Sequence, residues 1–151
     1  MQRERVADCA GTQLIGASIP PQEHRFTRTG IARFCAATWN SARIHLDPIA
    51  AQTEGLPDVV VPSTLYPETA RLVLSGWLRD EGVESFSVQS ANWQNMRPVV
   101  PGQTVIWAGV VDHPFAESAS FRARITGAVD EQRVVDVTIV FAPAEGAADD
   151  R

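Results

Sequence analysis

The sequence contains no lysine: all 13 of its positive charges are arginines. This excludes a phosphate-cradling P-loop, which needs a lysine, and a Schiff-base nucleophile. There are two cysteines, Cys9 and Cys35, without CxxC spacing, so free thiols in a reducing compartment are expected in place of a disulfide framework. The three histidines, His24, His45 and His113, are scattered and form no HExxH or Cys/His cluster, so no metal site is expected. GxSxG is absent, which leaves a serine-hydrolase elbow unsupported. No apolar run approaches the length of a membrane helix, and the opening "MQRERVADCAG" lacks the apolar core of a secretory signal, so a cytoplasmic location is expected. The net charge of −5, with no arginine stripe beyond the pair Arg122 and Arg124, argues against nucleic acid as a partner.

What remains is an ordinary globular composition, 44% hydrophobic over 151 residues, enough for one core and one domain. Residues 14–142 read as that domain. The small, charged ends 1–13 and 143–151 read as flexible tails. The segment "EHRFTRT" suggests a short strand. Thr27 or Thr29 is positioned to cap a helix "GIARFCAATW" whose face is Ile31, Phe34, Cys35 and Thr38. Asp47 and Pro48 suit the start of a short helix ending at Gly55. A longer helix is expected from Pro62 to Gly82, with Leu65, Thr69, Leu72, Val73, Trp77 and Leu78 on one face and Pro67 in its first turns. Four strands follow: "VESFSVQSANWQN", the part of "RPVVPGQTVIWAGVVD" after its Pro-Gly turn, "SASFRARITGAV" and "RVVDVTIVFAP", with "DEQ" at the last hairpin. This is an α+β pattern, a meandering antiparallel sheet wrapped around a long central helix. The open edges of so small a sheet favour pairing with a second copy.

The stretch "ATWNSARIHLDPIAA" concentrates polar and titratable groups just ahead of the long helix. His45 is the one side chain in it that titrates near neutrality by default. The stretch resembles the A-T-G-D-x-N-P-I-H-x-D-P-x-x-A segment of the MaoC-like branch of the hotdog fold, the (R)-specific enoyl-thioester hydratases and dehydratases. His45, Asp47, Pro48 and Ala51 match it, and "VVVPSTL" and "RPVVPGQTV" follow at the family's spacing. The family's aspartate falls on Asn40, its asparagine on Ala42, and the His-Gly of its helix start on Pro62 and Ser63. "TWNSARIHLD" is similar to the T-x-N-x-x-R-I-H-Y-D form of the mesaconyl-CoA hydratase-like and mitochondrial 3-hydroxyacyl-thioester dehydratase-like subfamily, in which asparagine takes the aspartate position.

The resemblance implies a hotdog hydro-lyase of fatty acid or polyketide metabolism, acting without cofactor on an acyl thioester of coenzyme A or an acyl carrier protein. His45 would be the general acid/base and Asn40 would hold the water or substrate, since a carboxamide takes no proton. Ser63 or Thr64 would supply the oxyanion N–H that Pro62 lacks, with Arg43 and Tyr66 as further substrate contacts. Leu65, Trp77, Phe86 and Trp93 would line the acyl pocket. Two alternatives remain open. A catalytically degenerate partner subunit or acyl-binding module would associate with a second hotdog chain instead of forming an active homodimer. A hotdog thioesterase would use Glu68 on the central helix. Asn40, Arg43, Asp47, Ser63 and Thr64 also have purely local roles as caps or ion pairs, and His24 and His113 read as surface residues.

Overall fold

The structure, a computed structural model, describes residues 14–112 and 119–144. Five strands form one antiparallel sheet: β1 (Ser18–Arg25), β2 (Phe86–Asn95), β3 (Thr104–Asp112), β4 (Phe121–Val129) and β5 (Gln132–Pro143). Helix α1 (Arg28–Ala37), a single 3-10 turn (Arg43–His45), α2 (Pro48–Thr53) and α3 (Leu65–Asp80) lie between β1 and β2 in sequence. The spatial order is β1-β3-β4-β5-β2. The α+β expectation holds. Only β3, β4 and β5 meander, however: β2 pairs with β5 across the sheet and not with its neighbour in sequence, β3.

Helix α3 is the centre of the fold. Tyr66, Ala70, Val73, Leu74, Trp77 and Leu78 recur at helical spacing, and all are buried against the inner face of the sheet. Complete burial of Leu74 or Leu78 contributes about 1.5–3 kcal/mol each, and truncating Leu74 to alanine would add a cavity term. Leu72, expected on the buried face, is 60% exposed, because the 66/70/73/77 stripe already fills the groove. Pro67 sits in the first turn, where its missing N–H costs nothing, and Gly82 follows the helix with φ 84°.

From the sheet, alternate residues meet this helix. Val105, Trp107 and Val111 of β3, Phe121, Ala123 and Ile125 of β4, and Val135, Val137, Ile139 and Phe141 of β5 are buried. Arg122 and Arg124 point to the other face, where both pair with Asp112 at 2.7 and 2.9 Å. Trp107 is fully enclosed, and its indole nitrogen has no hydrogen-bond partner among the described residues.

Several boundaries differ from the sequence reading. The first strand is Ser18–Arg25, not residues 23–29. It runs through Pro20 and Pro21, and its register against β3 shifts between Ile19 and Gln22. Two prolines are tolerated there because β1 is an edge strand. Helix α1 starts at Arg28, capped by Thr27, whose hydroxyl accepts from Gly30 N–H at 3.0 Å. Ile31 and Cys35 are its buried residues, while Thr38 is an exposed C-cap. The last hairpin turns at Asp130 and Glu131, both with positive φ, and Gln132 already belongs to β5. Cys35 is buried and free. His24 is exposed on β1 with its ring against Phe26, and desolvation lowers its pKa. Cys9, His113 and the two expected tails up to residue 13 and from residue 145 fall outside the described residues; β5 itself continues to Pro143. No helix among the described residues is long and apolar enough to cross a membrane.

Candidate active site

The chain leaves α1 through Trp39, which adopts a left-handed φ of 56°, and Asn40. Asn40 Oδ1 accepts the Ala42 N–H at 3.2 Å, a local turn that launches the 3-10 segment bearing His45. Asp47 then caps α2, accepting from Ile49 and Ala50 N–H at 2.9 and 3.2 Å, with Pro48 in the first turn. The other oxygen of Asp47 meets Arg43 at 2.6 Å. That guanidinium bond, followed by the cap, holds the Asp47 carboxyl below the usual carboxylate range. The 3-10 segment is therefore fixed at both ends by short-range polar contacts.

It is also fixed from the side. Val60 N–H donates to the Ile44 carbonyl at 3.0 Å, and the Val60 carbonyl lies 2.8 Å from His45 Nδ1. A carbonyl only accepts, so Nδ1 carries the proton and Nε2 of the neutral ring is left with its lone pair. Val60 is itself held. Asp58 takes the Val59 N–H and an ion pair from Arg28 at 2.5 Å, and Val61 N–H donates to Val99 at 2.9 Å.

His45 lines a cavity of about 430 Å³ together with Ile44, Val60, Val61, Ser63, Tyr66, Asn95, Met96, Arg97 and Pro98. Ser63 stands just before α3. Its N–H and that of Thr64 make no hydrogen bond to any described residue, whereas the first N–H groups of the helix itself, of Leu65 and Tyr66, are taken by the Pro62 and Ser63 carbonyls. Tyr66 is buried; desolvation pushes its phenol up to about 12, and a hydrogen bond with the Val99 backbone pulls in the opposite direction.

Of the residues singled out in the sequence, His45, Ser63 and Tyr66 come together in this cavity. Thr64 adjoins them as the exposed N-cap position of α3. Asn40 is not among the lining residues, and its oxygen is engaged by Ala42. Arg43 borders a different hollow with Ile49, Ala50 and Thr53. The expected acyl-pocket residues do not line the cavity either. Trp77 is core, Leu65 and Phe86 pack at the edge of the core, and Trp93 is 39% exposed on β2. Glu68 is exposed, paired with Arg71 at 3.2 Å, and lies outside the cavity. Asn95, Met96 and Arg97 were missed. They sit where β2 leaves the sheet, and only the crossing of β2 to the side of β5 brings them beside His45. The Val60 carbonyl was missed as well, because a backbone acceptor has no sequence signal.

Comparison with known proteins bears on the family and the fold. Residues 14–101 match the family model described as hydroxyacyl-thioester dehydratase type 2. No curated protein matches in sequence. Among solved structures, the (R)-hydratase from A. caviae involved in PHA biosynthesis superposes with a TM-score of 0.70 at 18% identity, covering 85% of this chain and 95% of that one. The C-terminally truncated HadBC (3R)-hydroxyacyl-ACP dehydratase complex from Mycobacterium tuberculosis gives 0.74 at 16%, covering 85% and 96%. The ChsH1-ChsH2 complex from the same organism gives 0.65 at 19%, covering 85% and 97%. The fold is the hotdog fold, as the sequence suggested.

Proposed function

Because the chain belongs to the hydroxyacyl-thioester dehydratase type 2 family, we propose that it is a hydro-lyase interconverting an enoyl thioester and a 3-hydroxyacyl thioester of coenzyme A or a carrier protein, with His45 as the general acid/base. The observation that supports this reading is the bond from His45 Nδ1 to the Val60 carbonyl, which leaves the Nε2 lone pair free on a ring that lines the cavity. In the hydration direction Nε2 takes a proton from water as the hydroxyl oxygen bonds to Cβ. The C=C electron pair shifts towards the thioester, and charge builds on its oxygen. The N–H groups of Ser63 and Thr64 at the head of α3, which have no partner among the described residues, would hold that oxygen. The imidazolium then returns its proton to Cα. Dehydration is the same path reversed. The Val60 carbonyl keeps the ring oriented in both protonation states, since Nδ1 donates in each.

Asn40 acts in this reading through the loop, by closing the turn that presents His45, and not as a direct water ligand. For the acyl group the reading relies on the cavity's own lining, since Trp77 is buried in the core and Phe86 packs at its edge. Association through β2, with a second copy or a second hotdog chain, fits its unpaired edge and exposed Trp93.

The test is a mass-spectrometric hydration assay on a panel of enoyl-CoA and enoyl-carrier thioesters, with wild type and His45→Ala. A gain of one water that falls by about 10²–10⁴-fold in the variant is the expected result. Equal turnover by the two proteins refutes the role of His45. One observation favours a second reading: the cavity lining contains no carboxylate, and Asn40 stands where the family pattern has an aspartate. A non-catalytic partner subunit would show no conversion alone and would bind tightly to an active hotdog chain.

A further inference from the structure

We propose that Arg97 forms an anion subsite at the opening of the His45 cavity, taking an oxyanion carried by the substrate away from the reacting double bond. That oxyanion is a phosphate of the thiol carrier or a carboxylate on the acyl group. The inference rests on the hydratase reading for the kind of molecule bound.

In a chain of net charge −5, the cavity lining contains no aspartate or glutamate. Its one permanent charge is the Arg97 guanidinium, since the Tyr66 phenol is neutral at physiological pH and His45 is the proton carrier. Six other arginines are matched to carboxylates: Arg28, Arg43, Arg71, Arg122, Arg124 and Arg133. Arg97 has no such partner among the described residues; Arg25, Arg33 and Arg79 have none either, but of these four Arg97 is the one that lines the cavity. Asp130 borders the adjoining hollow with it but makes no ion pair.

The arginine is nevertheless held in place. Met96 and Arg97 N–H both donate to the Val134 carbonyl, at 2.8 and 3.3 Å. Its Nη1 donates to Oε1 of Gln132, a neutral side chain that orients the guanidinium without cancelling its charge. A guanidinium has five N–H donors, so at least a bidentate pair remains for an incoming phosphate or carboxylate. Arg97 is exposed and stands between the cavity and the adjoining hollow lined by Gln132, so an anion can reach it from solvent. A neutral enoyl thioester alone would have no use for this charge.

Calorimetric titration with saturated thioesters tests the subsite independently of turnover, because they have neither a double bond to hydrate nor a hydroxyl to lose. The probes are butyryl-CoA, glutaryl-pantetheine and butyryl-pantetheine, which carry phosphates, a carboxylate and neither. Each is titrated into wild type, Arg97→Gln and Arg97→Lys, all checked for folding by circular dichroism. Arg97→Gln should weaken an anionic probe about tenfold and leave butyryl-pantetheine unchanged, with Arg97→Lys recovering part of the loss. A loss confined to butyryl-CoA identifies the phosphate; one confined to glutaryl-pantetheine identifies the carboxylate. Arg97→Gln that binds all three probes as wild type does overturns the subsite. If wild type hydrates no enoyl thioester yet shows the Arg97-dependent loss, the subsite stands and the hydratase reading fails. If wild type binds none of the probes, the subsite fails too.

Discussion

Replacing Gly109 with alanine should destabilise the fold by about 2–4 kcal/mol, while the same change at Gly76 should stabilise it. Gly109 lies in β3 opposite Ile125 of β4. A Cβ built on it would stand 2.3 Å from the Arg124 carbonyl oxygen and 3.1 Å from Ile125 Cα. Both obstacles are backbone, so no side-chain rotation relieves them. The strands must part by most of an ångström at the middle of the sheet. Overpacking strain of about 1–3 kcal/mol then combines with about 1 kcal/mol for a loosened ladder hydrogen bond. Gly76 is inside α3, and a Cβ there meets no heavy atom within 4 Å. Alanine removes the glycine's helix penalty of about 0.5–1 kcal/mol. At about 2–4 °C per kcal/mol for a chain of this size, differential scanning calorimetry should find Gly109→Ala lower by about 4–16 °C and Gly76→Ala higher by about 1–4 °C. A Gly109→Ala protein melting with wild type, or a Gly76→Ala protein melting clearly below it, would refute the reasoning.

Two further outcomes concern titratable groups. The hydrogen bond and charge of Arg122, joined by Arg124, hold the Asp112 carboxyl below its ordinary range. Its contribution is therefore complete above the unfolded value, near pH ~3.9, and disappears as pH falls through the lower folded value. The melting-temperature gap between wild type and Asp112→Asn should be present at neutral pH and close in acid; a gap that widens on acidification contradicts the sign. Burial raises the Cys35 thiol above its ordinary value. In a Cys9→Ser background, native protein should react with a thiol reagent far more slowly than urea-unfolded protein, and equal rates would show that Cys35 is reachable.

The parts of the site that were legible in the sequence are those made by near neighbours. Asp47 and Pro48 start α2 as expected because a cap reaches only two or three residues ahead. The Arg122/Arg124 alternation placed β4 correctly because each strand position reports its own face. His45 stood out as the one neutral-range titrating group in its stretch, and the family resemblance located it. What was not legible depended on distant pairing. Pro20 and Pro21 look like strand breakers until β1 is known to be an edge. The arrival of Asn95 and Arg97 beside His45 follows from β2 joining β5, which no local pattern encodes. Leu72 fits the spacing of the buried face, yet the groove is filled by Tyr66 and Ala70, one turn apart.

The two rims of the sheet differ in a way that governs growth. Both rim strands carry a register shift, but on β1 Pro20 and Pro21 also lack the N–H that a neighbouring strand would need. On β2, ten residues run without a proline. Strand addition is therefore open on one side and blunted on the other. If two chains joined along β2, both outer rims of the product would be proline-bearing. Such a sheet would extend once and then terminate, so joining along β2 would yield a closed pair and no template for a fibre.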